Sequence, residues 1–256
     1  MDKARSPINK IVLVFPTDWH QFDPDRIRSA YAAVTQDVPE PPQEDGPADS
    51  ETTTLNLGDG RISGWLEEAI PDLTDLIGTS PLPFDDGEIK ALKNHTGTLR
   101  IIIESLDTPM ATATFALRVC RGLVRSGCAG VFLPNIVRLH SPSCMEATLA
   151  QSTGIESTIK LLLSARDTES WMTTRGLTAF GLPEVETEIV GGALNSAYFR
   201  ILDISAHVLM TGNGLPDGTQ VHVGPDLLQV QTGPNGPGDP MVPFNGHFGV
   251  LSVARK

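Results

Sequence analysis

The chain has 256 residues, and its 31 Asp and Glu outweigh 19 Lys and Arg to give a formal net charge of −12. That length suits one large or two packed domains, and that charge disfavours phosphate backbones and anionic lipid as partners. The longest early apolar run, residues 11–15, is far too short for a signal-peptide core or a membrane span, and three cysteines make no disulfide framework. A soluble, cytoplasmic protein with reduced thiols is expected, with no nucleic-acid or membrane partner.

Residues 10–15 (KIVLVF) predict a buried strand ending at Pro16. Asp23 then stands where a helix cap belongs, with Pro24 in the first turn. Ile27, Ala30, Tyr31 and Val34 follow at i, i+3, i+4 and i+7, one apolar stripe to lay on a sheet. Residues 37–51 hold four prolines and six acidic side chains with no Lys or Arg, too little apolar surface to offset the entropy of ordering, so a mobile acidic loop is expected. Short strands at 52–57 and 61–66 flank Gly58-Asp59-Gly60, a hairpin signal. Asp85 or Asp86 is placed to cap a helix over 89–94, and 99–105 (LRIIIES) reads as another buried strand. Thr108 as cap, Pro109 after it, an apolar stripe of Met110, Ala113, Leu117, Cys120 and Val124, and Gly127 as terminator predict a long helix. Brief strands at 130–133 and 136–139 surround Pro134.

The character changes around Gly154, which places a boundary between an N-terminal half, 1–155, and a C-terminal half, 156–256. Strands are expected at 158–166 and 172–180. Residues 184–190 alternate as a half-buried strand with the carboxylates of Glu184, Glu186 and Glu188 toward water. Tyr198, Ile201, Leu202, Val208 and Leu209 fit a helix over 195–211 that Gly212 would stop. Strands at 220–223, 227–230 and 248–253 close the chain around a Gly/Pro loop at 232–240. The fold class is therefore α+β: two packed α/β-sandwich-like halves, with mostly antiparallel sheets covered by helices.

The most specified stretch is 171–187, WMTTRGLTAFGLPEVET, with two glycines at turn-like positions and a proline before the alternating strand. Its landmarks Thr174, Arg175, Gly176, Leu177, Phe180, Gly181, Glu184 and Glu186 are followed by the helix YFRILDISAHVLMTG, by Leu215, Asp217 and Gly218, and by a closing strand over 246–253. From about residue 158 to its end the chain thus resembles the DUF4261 family, a bacterial domain family whose function is not defined. The N-terminal half, with its HTGTLRIII strand and long helix, resembles the region that often precedes this domain. The resemblance implies a fold and names Arg175, Gly176, Phe180, Gly181, Glu184 and Glu186 as its motif; it implies no activity.

Cys120, Cys128, His140 and Cys144 lie within 25 positions, and thiolate and imidazole are zinc ligands. Only His140 and Cys144 have ligand spacing, while Cys120 falls on a helix stripe, so buried or incidental thiols outweigh a metal centre. Asp18, His20 and Asp25 follow the C-terminal end of the first strand, where open α/β sheets place chemistry, and they could hold a divalent cation or perform acid/base work. An exposed loop with Asp23 as a cap is the plainer account. His207 falls opposite its helix's apolar stripe, one turn after Asp203, as a surface pair. Glu184, Glu186 and Glu188 could coordinate a cation or meet a basic partner, with a solvated strand face as the plainer reading. No Gly-x-Ser-x-Gly elbow, Walker loop or His-Glu-x-x-His occurs, and the lone pair Gly191-Gly192 is no phosphate cradle.

With no catalytic motif and an acidic surface, a non-enzymatic protein-binding module is expected, immunity- or secretion-associated, with a basic protein partner and no cofactor. The alternative is a metal-assisted hydrolase using Asp18, His20 and Asp25.

Overall fold

The apolar run at the start forms β1 (Lys10–Thr17). It continues through Pro16, which has no N–H to give and uses only its carbonyl, accepting from Ala129 N at 2.8 Å. The computed structural model describes residues 10–35, 52–104, 106–152, 154–223, 226–232 and 250–255. The expected loop at 37–51 and all but the first residue of that at 232–240 lie outside them. After β1 comes α1 (Pro24–Thr35), entered through Asp23, whose Oδ1 accepts from Arg26 N at 3.0 Å. The hairpin of β2 (Thr53–Leu57) and β3 (Gly60–Glu68) closes over Gly58 and Asp59. Asp85 and Glu88 form a reciprocal capping box at α2 (Asp86–Lys93). Next are β4 (Gly97–Glu104), α3 (Pro109–Arg125) capped by Thr108, β5 (Val131–Leu133) and β6 (Arg138–His140). These strands make one antiparallel sheet in the order β2-β3-β4-β1-β5-β6.

Alternation decides which side of this sheet is packed. Ile11, Leu13 and Phe15 of β1 and Leu99, Ile101 and Ile103 of β4 are buried in the main core with Ile27 and Tyr31 of α1 and Phe115, Val119 and Leu123 of α3. The two helices cross closely because Gly122 lacks a side chain: a Cβ there would lie 2.6 Å from the Ala30 carbonyl oxygen. A smaller cluster of Leu73, Phe84, Leu92 and Leu139 binds α2 and the 3₁₀ turn Leu73–Thr79 to β6.

Two helices connect the sheets. The first, α4 (Pro142–Gln151), has no counterpart in the expectations above, although Ser141 caps it through Cys144 N at 3.0 Å and Pro142 occupies its first turn. The second, α5 (Ile155–Leu162), replaces most of the strand expected at 158–166. Its β-branched residues suggested extended chain, but Ser157, Thr158, Leu161 and Leu162 are buried at i, i+1, i+4 and i+5, one helical face. Only β7 (Ser164–Asp167) of that stretch is extended. Likewise β8 (Trp171–Arg175) stops before Gly176, whose φ of 116° no strand residue adopts, and Leu177–Phe180 is a 3₁₀ turn. Then follow β9 (Glu184–Glu188), α6 (Leu194–Thr211) ended by Gly212, β10 (Gln220–Val223), β11 (Asp226–Thr232) and β12 (Val250–Arg255). The second sheet has the order β10-β11-β12-β9-β8-β7 and is antiparallel except for the parallel pair β12–β9.

Ile201, Ile204, Val208 and Leu209 of α6 join Met172, Val185, Leu228 and Val230 of this sheet in the same core that fills the first. The fold is α+β, with helices packed on mostly antiparallel sheets. Among the described residues no helix is long and apolar enough to cross a membrane.

Candidate functional site

The motif stretch is a structural knot tied by one carboxylate. β9 is an interior strand, with β12 on one side and β8 on the other, and Glu184 and Glu186 are fully buried. This corrects the expectation of carboxylates toward water; of the three, only Glu188 is exposed. Period-2 alternation of Glu with Val and Thr identified the strand, but its two faces are both covered. Glu184 accepts from the Thr174 hydroxyl (2.7 Å), Gly176 N (2.9 Å), Thr178 N (3.1 Å) and the Thr178 hydroxyl (3.1 Å). Burial raises its pKa above the ordinary value, against the pull of those four donors. Thr174 also accepts from Val185 N at 2.8 Å, standing in for a ladder bond. Gly176 has no room for a side chain, since a Cβ would sit 2.5 Å from the Leu162 carbonyl oxygen. Arg175 and Phe180 are buried, and Gly181 has φ 76° at the end of the turn. These motif residues hold β8, β9 and α5 together and present no reactive group to solvent.

The other anticipated groups are dispersed. Asp18, His20 and Asp25 are all exposed. Asp25 pairs with Arg28 at 3.0 Å, and beside it Arg26 stacks over Trp19 at 4.2 Å. Cys120, Cys128 and Cys144 are buried as free thiols. Burial raises the pKa of Cys120 and pushes that of Cys128 up to about 12. His140 is buried, faces the Leu161 carbonyl through Nε2 (2.9 Å) and has Cys144 Sγ 3.9 Å from Nδ1. Nε2–H donates to that carbonyl, and burial lowers the ring's pKa to about 4, which keeps it neutral at pH 7. Among the described residues no group of three His, Cys, Asp or Glu side chains is placed to hold a metal ion. His207 is exposed, as is Asp203 one turn before it.

Two features that sequence reasoning missed are more suggestive. The first is a cleft of about 390 Å³ bounded by residues 79–82, α4, α5, β7 and α6, with Arg138 of β6 in its wall. Val137, immediately before, has φ 50°, a left-handed conformation that a β-branched residue adopts only under constraint. Arg138 Nη1 donates to the carbonyls of Leu163 (3.0 Å) and Lys160 (3.4 Å), the C-terminal end of α5. Burial lowers the pKa of this guanidinium from its ordinary value.

The second is the outer side of α6. Tyr198, assigned above to the packed stripe, is 43% exposed, while Phe199 is 63% and Met210 61% exposed. Leu194 and Val190 beside them are exposed as well. The inner face of the helix is filled by Ala197, Ile201, Ile204, Val208 and Leu209; Leu194 and Tyr198 lie at the N-terminal end of that same side, and Phe199 and Met210 stand opposite it.

Comparisons of the chain with protein-family models, with curated proteins and with solved structures find no match.

Proposed function

We propose that this protein is a non-catalytic protein-binding module whose docking surface is the outer face of α6. The observation that carries this reading is the exposed pair Phe199 and Met210 on the side of α6 opposite its packed face. Scattered exposed apolar residues need no explanation, whereas two large ones on one helix face give a partner something to cover. Aromatic side chains and Met are also the types enriched where proteins meet. The exposed carboxylate of Asp203 lies between these two on the same side of the helix, and the chain's net charge of −12 favours encounter with a basic surface. The partner is therefore a protein with an apolar patch rimmed by Lys or Arg. The alternative hydrolase at Asp18, His20 and Asp25 has no comparable support, because these exposed side chains form no ligand group among the described residues.

Paired pull-downs from the native host test the reading, using wild type, Phe199→Asp and Met210→Asp at low and high salt. Both substitutions fall on exposed positions, so the fold is expected to be retained, which circular dichroism of the variants checks. A partner retained by wild type at low salt, released by salt and absent with the variants supports the proposal. Identical recovery by all three proteins, or no partner at either salt, defeats it.

A further inference from the structure

The cleft lined by Arg138 has a chemistry opposite to that of the rest of the chain. The protein carries 31 acidic residues, yet the described residues that line this cleft include two cations, Arg138 and Lys160, and no carboxylate. Lys160 is already matched by Glu156 at 2.6 Å on the exposed side of α5. Arg138 is not matched: its partners among the described residues are two backbone carbonyls, both taken by Nη1. Removing a cation from water is costly unless an anion and its hydrogen bonds compensate, and two neutral carbonyls compensate in part. They also fix the guanidinium in place, and a fixed planar fork is the usual protein device for gripping a carboxylate through two parallel hydrogen bonds. The remaining wall is largely apolar, with Leu82, Ile159 and Leu202 beside the ring of Tyr198. A volume of about 390 Å³ is within the range of small-molecule pockets, roughly 300–1,000 Å³.

We propose that this cleft binds a small organic monocarboxylate, its carboxylate paired with Arg138 and its apolar body lying against Leu82, Ile159, Leu202 and Tyr198. One unmatched, delocalised cation in a mostly apolar cleft, with Lys160 already paired to Glu156, suits a singly charged carboxylate better than a phosphate dianion, whose extra charge and acceptors would go unmatched. The site is independent of the protein-docking reading: it depends on the interior of the cleft, whereas docking depends on Phe199 and Met210.

Amide NMR titrations with phenylacetate, phenylpropionate and phenylbutyrate, with their primary amides, and with inorganic phosphate are the test. The carboxylates should produce saturable shifts at cleft residues, and each amide should bind at least about tenfold more weakly, because it forfeits the charge-assisted pair. Arg138→Gln should abolish that preference. Since Arg138 also caps α5 and its loss could disturb the fold, Gln151→Glu supplies a second variant. It places a fixed negative charge at an exposed position on the cleft wall and should weaken carboxylate binding about fivefold or more while leaving the cap intact. Phe199→Asp should leave carboxylate binding unchanged. The proposal is overturned if no carboxylate gives saturable shifts at the cleft, if acid and amide bind alike, if a folded Arg138→Gln or Gln151→Glu protein keeps the full preference, or if phosphate alone binds.

Discussion

Replacing Glu184 separates the two roles that a buried carboxylate can play, acceptor and charge. Glu184→Ala deprives the Thr174 and Thr178 hydroxyls and the N–H groups of Gly176 and Thr178 of their acceptor. The hydroxyls can rotate, and Thr174 has the Val185 carbonyl 3.3 Å away; the two N–H groups cannot. Each buried N–H left without a partner costs about 1–3 kcal/mol, and with the cavity added the loss comes to about 4 kcal/mol. Glu184→Gln keeps an oxygen for both N–H groups and turns an NH₂ toward the Thr174 oxygen, so its loss is only about 1 kcal/mol at low pH. The pH dependence reports the charge. The folded pKa of Glu184 is raised above its ordinary 4.5. The wild-type carboxyl's contribution is therefore complete below 4.5 and is lost as pH rises through the folded pKa, because the unfolded chain ionises first. Gln does not titrate, so the deficit of Glu184→Gln must shrink as pH rises above 4.5. Urea denaturation of the three proteins across that range measures all of this. Equal losses for Ala and Gln would show that the four hydrogen bonds do not hold the turn, and a Gln deficit that grew with pH would show that the fold prefers the charged form.

Three further outcomes are expected. His140 is buried neutral with its pKa lowered from 6.5 to about 4, so stability is fully present above 6.5 and is lost as pH falls toward 4. The loss approaches roughly 3 kcal/mol for a shift of this size, and a His140→Gln protein should lack it when acid titrations of the two are compared by denaturant melts. Gly176→Ala should cost about 3 kcal/mol or more, combining a left-handed backbone with the clash on Leu162. Gly192→Ala, with φ 74° but nothing near its Cβ, should cost only about 1 kcal/mol; equal losses measured by thermal unfolding would contradict the close-approach argument. Finally, a thiol reagent should label Cys120, Cys128 and Cys144 far more slowly in the native protein than in denaturant, and fast native labelling of any one would contradict its burial.

How much of this was legible in the chain depended on whether the signal was local. α1 and α3 announce themselves because a cap, a proline and an apolar stripe fall in register, and α2 through Asp85 as a candidate cap, although it begins at Asp86 and not at 89. α4 carried the same signal in Ser141 and Pro142, but Cys144 and His140 drew the reading toward ligand spacing. α5 was lost to the β-branched Ile155, Thr158 and Ile159, which favour strands until packing selects a helical face. For β9 the period was readable and the surroundings were not. Whether Glu184 meets water depends on donors six to ten residues earlier that fold back over it, and no pattern within the strand encodes that return.

The two features on which the functional readings rest differ in the same way. Nothing local marks Arg138, since one arginine in a three-residue strand acquires meaning only when the end of α5 takes one of its nitrogens and a cleft forms beside it. The outer face of α6 was within reach. Leu194, Ala197, Tyr198, Phe199, Ile201, Leu202, Ile204, Val208, Leu209 and Met210 are more apolar positions than one stripe can hold. The excess is Phe199 and Met210, which fall outside the stripe. A helix that packs on one side of a sheet buries about a third of its circumference, so apolar residues beyond that arc stay exposed in the isolated chain. Counting them against the arc, before asking which residues look catalytic, leads from this sequence to Phe199 and Met210, the residues on which the docking proposal rests.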